Sequence, residues 1–353
     1  MEEKSMAEKE CYFGAANTYH GFKSYFPEIF SPADYSRLYV IKGGPGTGKS
    51  SMMKQISSHF LKKGCTVEEI FCSSDPKSLD GVVVKNGDKK IAVIDGTAPH
   101  ETDAKIPGAI DEILNLGDMW DTRWLSSKRT EICELNKEKS EAYKTAYSYL
   151  KIAGKAFDFI MSLARDSFDF CKARKKIIEF CHEFNSENCN RDQIRLISAF
   201  GKNGSIKLET LENKSKKLVK ISGDEFPVFL FLNELSNILF ALNITAIRFP
   251  NALNPEFLDA ICLEESSMTI MAGDGGNINV DEMIKGGYEY NSERIKNASY
   301  IREISLAEAK RWFGIASDMH FRLEAIYSVA MDFEKINELL SLKLSEMENI
   351  LEV

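Results

Sequence analysis

The chain has 353 residues, 44% apolar and 28% charged, with 45 Lys plus Arg against 53 Asp plus Glu for a net charge of −8. Apolar content this high with so low a net charge excludes global disorder, and the length suits two ordinary cores better than one. The acidic excess is −1 over residues 1–190 and −7 over residues 191–353, which argues against a nucleic-acid partner, since such a surface would carry a basic surplus.

Taken in chain order, Met1 to Glu10 is charged and has no apolar centre, so no secretory signal is expected. Eight cysteines with no Cys-x-x-Cys spacing then fit free thiols in a reducing, cytoplasmic compartment. Leu38-Tyr-Val-Ile-Lys reads as a buried strand, and Met52, Met53, Ile56 and Phe60 recur at helical spacing after it. Between them, Gly43-Gly-Pro-Gly-Thr-Gly-Lys-Ser50 matches G-x-x-x-x-G-K-[ST]. Strand, glycine loop and helix form the arrangement that phosphate binding needs. Backbone N–H groups curl around the phosphate where a Cβ would block them, and the helix N-terminus adds partial positive charge. The nucleotide-binding set is therefore Gly43, Gly44, Pro45, Gly46, Thr47, Gly48, Lys49, Ser50 and Ser51. Lys49 is expected to reach the β- and γ-phosphates and Ser50 to ligate Mg²⁺.

Further strands are expected at Thr66 to Cys72 and Ile91 to Asp95, with a hairpin turning at Asn86-Gly87. Four apolar residues ending in Asp95 form the metal-side carboxylate strand, so Asp95 joins Ser50 as a metal ligand and Lys49 as a catalytic residue. The next residue is Gly96 rather than the Glu that ring-forming motor ATPases with a similar P-loop usually place there. His100 and Glu101 are the nearest candidates to position water, with a solvent-exposed loop pair as the plain alternative; His100 is taken as the third catalytic candidate. Asp75-Pro76 reads either as a helix cap or as a base for an acceptor hydroxyl. Met119 to about Phe184 and Ser305 to about Leu351 carry helical rhythms suited to packing, and could also form a lid. Arg123, Lys128 and Arg129 are phosphate-sensing candidates or ordinary solvated charges. Cys171, Cys181, His182 and Cys189 match no zinc spacing. Phe226 to Ile247 is apolar over about a bilayer span, but it holds Glu234 and several amides; a buried strand and helix fit it better, and no membrane association is expected.

A faint internal repeat organises the chain. Asp75-Pro-Lys-Ser-Leu-Asp-Gly is echoed by Asn254-Pro-Glu-Phe-Leu-Asp-Ala, Thr66-Val-Glu-Glu-Ile by Thr245-Ala-Ile-Arg-Phe, and Ile110 to Gly117 by Val280 to Gly287. Leu218 onward takes the place of the P-loop strand without its glycines, lysine or serine. Ala272 falls at Asp95 and Asn277 at His100. Asn254 cannot act as a base, which favours capping for Asp75 as well.

Tyr12-Phe-Gly-Ala-Ala-Asn-Thr-Tyr-His-Gly-Phe, the P-loop, Cys72-Ser-Ser-Asp-Pro-Lys-Ser-Leu-Asp-Gly and Ile94-Asp-Gly-Thr-Ala-Pro-His together resemble a duplicated P-loop ATPase-like family of Firmicute-type bacteria, whose members are described as ATP-binding proteins. The resemblance implies ATP as ligand and a second lobe that in some members keeps its own P-loop, a pattern from which this chain departs. The expected fold is α/β, a P-loop NTPase three-layer sandwich, duplicated, with a degenerate second copy and long helical arms. Expected boundaries are 1–118 for the P-loop lobe, 119–190 for a helical arm, 191–290 for the degenerate lobe and 291–353 for a C-terminal arm. The expected function is Mg-dependent ATP binding and hydrolysis at one site, coupled to conformational change. A kinase acting on a small molecule or nucleotide and a non-hydrolysing nucleotide-gated scaffold are the alternatives. The protein partner is not readable.

Overall fold

A computed structural model describes residues 8–181, 193–263, 266–286 and 292–353. The first half begins with β1 (Lys9–Phe13), the hairpin β2 (Ala15–Thr18) and β3 (Gly21–Ser24), the short α1 (Phe26–Ile29) and β4 (Arg37–Lys42). Next come α2 (Lys49–Lys62), β5 (Thr66–Phe71), β6 (Leu79–Asn86), β7 (Lys89–Asp95) and β8 (Asp111–Asn115). Three helices follow, α3 (Thr122–Ser127), α4 (Arg129–Ser167) and α5 (Phe170–Cys181). The second half holds β9 (Gln193–Ile194), the hairpin β10 (Ser198–Gly201) and β11 (Gly204–Lys207), α6 (Thr210–Lys214), β12 (Lys217–Ser222) and α7 (Glu225–Ala241). It closes with β13 (Ile247–Pro250), β14 (Leu258–Leu263), β15 (Met268–Ala272), β16 (Ile278–Asn279), α8 (Ser292–Val329) and α9 (Phe333–Leu351). The fold is α/β with mixed sheets.

The chain divides into two compact units, one of Met1–Ala15, Ser24–Thr145 and Arg311–Val353, the other of Ala16–Lys23 and Ala146–Lys310. In the first unit six strands run in the order β1-β5-β6-β7-β4-β8. β1 pairs parallel with β5, β6 runs antiparallel to both β5 and β7, and β4 lies parallel between β7 and β8. The Asn86-Gly87 turn is where the alternation places it, and Gly87 takes a φ of +57°. Met52, Met53, Ile56 and Phe60 of α2 are fully buried against Tyr39, Ile41, Val67 and Val93 of the sheet. Helix α9, read from the sequence as part of a C-terminal arm, adds Leu340, Met347 and Leu351 to this same core. Tyr39 donates to Glu346 at 3.0 Å, and Lys343 pairs with Glu112 of β8 at 2.5 Å.

In the second unit the order is β9-β13-β14-β15-β12-β16. The pairings follow the same succession: β9 parallel to β13, β14 antiparallel to β13 and β15, and β12 parallel to both β15 and β16. Registers agree residue by residue. Ile41 faces Asp95 where Ile221 faces Ala272, and Lys42 faces Asn115 where Ser222 faces Asn279. Each sheet also carries one bulge. Phe71 pairs with Leu79 after Ile70 pairs with Gly81, which leaves Asp80 out; Pro250 pairs with Leu258 after Phe249 pairs with Ala260, which leaves Asp259 out.

One expected correspondence shifts. Asp111–Asn115 is a strand, whereas Val280–Met283 is a 3-10 turn, so the echo of Ile110 to Gly117 in Val280 to Gly287 lays a strand over a turn. Similar Asp-Glu pairs drew that alignment. The backbone instead matches Asn115 to Asn279, each of whose side chains accepts the N–H two residues on, from Gly117 and Asp281. Asp75 and Asn254 likewise cap tight turns rather than helices, each accepting from the N–H two residues ahead at 3.3 Å.

The apolar stretch from Phe226 forms α7, with Phe226, Phe229, Phe231, Leu232 and Leu235 buried. It ends at Ala241 before Asn243, at φ +56°, turns the chain into β13. Phe226, Phe229 and Phe257 surround Phe157 with ring centroids 5.1–6.0 Å away. Arg302 lies over Phe157 and Phe226 and forks onto Glu225 at 2.7 and 3.0 Å. Among the described residues no helix is long and apolar enough to cross a membrane.

Candidate functional site

β4 delivers the chain into the six-residue loop 43–48, and α2 begins at Lys49. Two of the loop glycines adopt conformations that disfavour a Cβ, Gly46 at φ +68° and Gly48 at φ +83°. Thr47 is fully buried and its hydroxyl donates to the Gly44 carbonyl at 2.9 Å. The Lys49 ammonium folds across the loop and donates to the carbonyls of Gly43 and Gly44, both at 2.7 Å. It also lies 3.5 Å from Asp95 Oδ2. Because β7 is the direct neighbour of β4, Asp95 ends beside the loop that Lys49 spans.

Asp95 Oδ1 accepts from the Thr97 N–H at 2.9 Å and the Thr97 hydroxyl at 2.5 Å. Burial raises its carboxyl above the usual range; Lys49 and Thr97 pull it down, and the charge of Asp80 pushes it up again. The Ser50 hydroxyl accepts the Leu79 N–H at 2.9 Å, which leaves its second lone pair available. These residues fit a divalent cation held beside phosphate. A desolvated carboxylate and an ammonium meet beside the start of a helix that carries the hydroxyl and follows a glycine-rich loop.

Residues of α8 and α9 pack against the loop within the same unit. A Cβ at Gly46 would lie 2.4 Å from the Glu324 carbonyl oxygen. At Gly44 it would meet Trp120 at 3.3 Å and Tyr327 at 3.4 Å, and at Gly48 it would meet Phe333 at 3.4 Å. The loop glycines thus serve close packing as well as backbone conformation.

Gly96, noted above for standing where a Glu was sought, has a steric cause. A Cβ there would lie 2.3 Å from Val40 of β4 and 2.9 Å from the Thr102 carbonyl, so no side chain fits. Glu101 is exposed, whereas His100 is buried at 6% exposure. Its Nε2 lies 3.2 Å from Asp80 Oδ2, its Nδ1 3.4 Å from Ser24 Oγ, and its ring stacks on Phe26 at 4.2 Å. Both ring nitrogens are engaged and one face is covered. The structure therefore pairs Lys49 with Asp95, ties Ser50 to Leu79 beside them in the bulge, and sets His100 against Asp80.

Asp80 went unread as a site residue because the sequence shows it only as part of a repeated Leu-Asp pair. The bulge re-aims its carboxylate. Asp80 stands one residue beyond the Gly81–Ile94 pair on β6, as Asp95 does on β7. The Cys72 thiol also bonds to Asp80 and is raised well above its usual range, first by burial and then by that charge. Arg123 and Arg129 are exposed, and Lys128 pairs with Glu131 at 3.2 Å. Cys171 and Cys181 sit on α5, while His182 and Cys189 lie outside the described residues. Among the described residues no group of three or more His, Cys, Asp or Glu is arranged to hold a metal.

The second unit replaces the loop with something different. Only Gly223 and Asp224 separate β12 from α7. The Asp224 N–H donates to Asp281 Oδ1 at 2.9 Å, and the Asp224 side chain accepts the Phe226 N–H at 3.1 Å. Two of the chain's own carboxylates thus occupy the helix N-terminus where an anion would bind. Comparison of the chain with protein-family models, with curated proteins and with solved structures returns no match.

Proposed function

We propose that the protein binds and hydrolyses ATP with Mg²⁺ at a single site formed by residues 43–51 and Asp95, on a P-loop NTPase fold that is duplicated with a degenerate second copy. The observation that carries the reading is the placement of Lys49 across a left-handed glycine loop, 3.5 Å from a carboxylate on the adjacent strand. When bound, Mg²⁺ neutralises charge developing on the transferred phosphoryl group. The chain's own residues do the rest. Loop amides hold the phosphates, Lys49 exchanges its carbonyl partners for phosphate oxygens, and Ser50 and Asp95 supply oxygens to the metal.

Common strand order, register and bulge support the duplication. Shortening of the loop to two residues, with Asp281 in the anion position, supports loss of the second site. Mg-dependent phosphate release tests the reading, measured with ATP and GTP on the wild type, Lys49→Ala and Asp95→Asn. Turnover by the wild type that both variants lose is expected; turnover retained by Lys49→Ala refutes it. The engagement of both His100 nitrogens favours a second reading, a nucleotide-gated scaffold with little hydrolysis. Tight Mg-ATP binding with turnover near the uncatalysed rate selects it.

A further inference from the structure

Asp80 lies beside this site, and no motif assigns it. The residue is buried at 8% exposure, and the pairing of Gly81 with Ile94 sets it beside Asp95 at the same end of the two strands. Two carboxylates share one end of β6 and β7, with Lys49 the cation paired to Asp95. Two such groups in one desolvated place repel one another, and the chain offsets this with Lys49 and Thr97 at Asp95 and His100 at Asp80. The Leu79 N–H immediately before Asp80 is bound to Ser50, so the bulge is tied directly to the P-loop serine.

The donors around Asp80 also define roles. On the Nε2–H tautomer His100 donates to Asp80 Oδ2, while the Ser24 hydroxyl faces Nδ1 and Phe26 covers the ring. His100 is therefore placed to orient Asp80, with its other ring nitrogen turned to the Ser24 hydroxyl. The second unit shows what the same bulge looks like as architecture. There Asp259 accepts from Ser198 at 2.5 Å and Asn251 at 2.8 Å, with Ala272 in place of Asp95.

We infer that Asp80 orients and deprotonates the nucleophile that attacks the terminal phosphate, and that His100 is its positioning residue. The inference rests on the nucleotide reading above. The nucleophile's oxygen bonds to the terminal phosphorus as the bond from that phosphorus to the bridging oxygen breaks. The electron pair leaves with the diphosphate, and the nucleophile's proton passes to Asp80 and then to solvent. This supplies the function that the Val40 side chain denies to position 96.

The test compares wild type, Asp80→Asn, His100→Gln and Asp259→Asn for Mg-ATP affinity, turnover and thermal midpoint. It adds the imidazole ¹H–¹⁵N spectrum of the nucleotide-free protein. Asp80→Asn is expected to lose turnover by about 10²-fold or more while binding Mg-ATP within about threefold of wild type. His100→Gln, which keeps a donor, is expected to lose less, and Asp259→Asn to turn over as wild type does. The wild-type spectrum should show an exchange-protected His100 Nε2–H that moves in Asp80→Asn. Turnover by Asp80→Asn within threefold of wild type overturns the assignment, as does an Nδ1–H tautomer for His100. Wild type that binds Mg-ATP without Mg-dependent turnover overturns the Asp80 role and leaves the binding site standing; wild type that does not bind overturns the nucleotide reading itself.

Discussion

Gly46→Ala is the sharpest probe of how the glycine loop 43–48 is held. Placing a Cβ at φ +68° costs about 1–2 kcal/mol for an L-residue. The new methyl would also lie 2.4 Å from the Glu324 carbonyl oxygen, a backbone atom that cannot rotate away. Overpacking of that kind adds roughly 1–3 kcal/mol, so the sum is about 2–5 kcal/mol. Gly87→Ala is the matched control, since its φ is +57° and a Cβ there meets nothing within 4 Å. It should cost only the backbone contribution, about 1–2 kcal/mol. Trp120, Trp124 and Trp312 all belong to the first unit, so urea unfolding followed by tryptophan fluorescence reports on that unit specifically. Equal losses in the two variants would show that the loop is not packed beneath Glu324.

Three further outcomes are expected. Met347→Ala, which empties a fully buried position of α9, should destabilise the first unit by about 2–5 kcal/mol in the same assay; a negligible loss would make α9 a detachable arm. Arg302→Met should weaken the second unit by about 2 kcal/mol, read as faster amide exchange along α7, because it removes two charged hydrogen bonds to Glu225; unchanged exchange would contradict that role. Burial raises the Asp259 carboxyl despite its bonds from Ser198 and Asn251. Its stabilising contribution is therefore complete below the unfolded value of about 3.9 and is lost as pH rises through the higher folded value. Asp259→Asn should abolish that slope in amide exchange of β14, and a slope that persists would assign it to another group.

Local patterns made much of the first unit legible. The run before Gly43, the helical spacing of Met52 to Phe60 and the Asn86-Gly87 turn each encode structure within a few residues, and each element formed where it was expected. The expected alignment of the two sheets agrees with their registers at the apolar strands, where Ala272 faces Ile221 as Asp95 faces Ile41. It misled at Val280, where matching charges outweighed backbone geometry. What stayed hidden was set by distant contacts. The bulge that frees Asp80 depends on pairing between β5 and β6, the burial of His100 depends on Phe26 and Ser24, and the exclusion of a side chain at Gly96 depends on Val40. None of these leaves a periodic trace. The cover of Glu324 and Tyr327 over the loop comes from residues nearly 300 positions downstream.

The stoichiometry of Mg-ATP binding addresses the central claim most directly. Calorimetric titration of the wild type should give one nucleotide per chain, and Lys49→Ala should give none. Two nucleotides per chain would restore a working site beside Asp281, and binding undiminished in Lys49→Ala would remove the P-loop from the account.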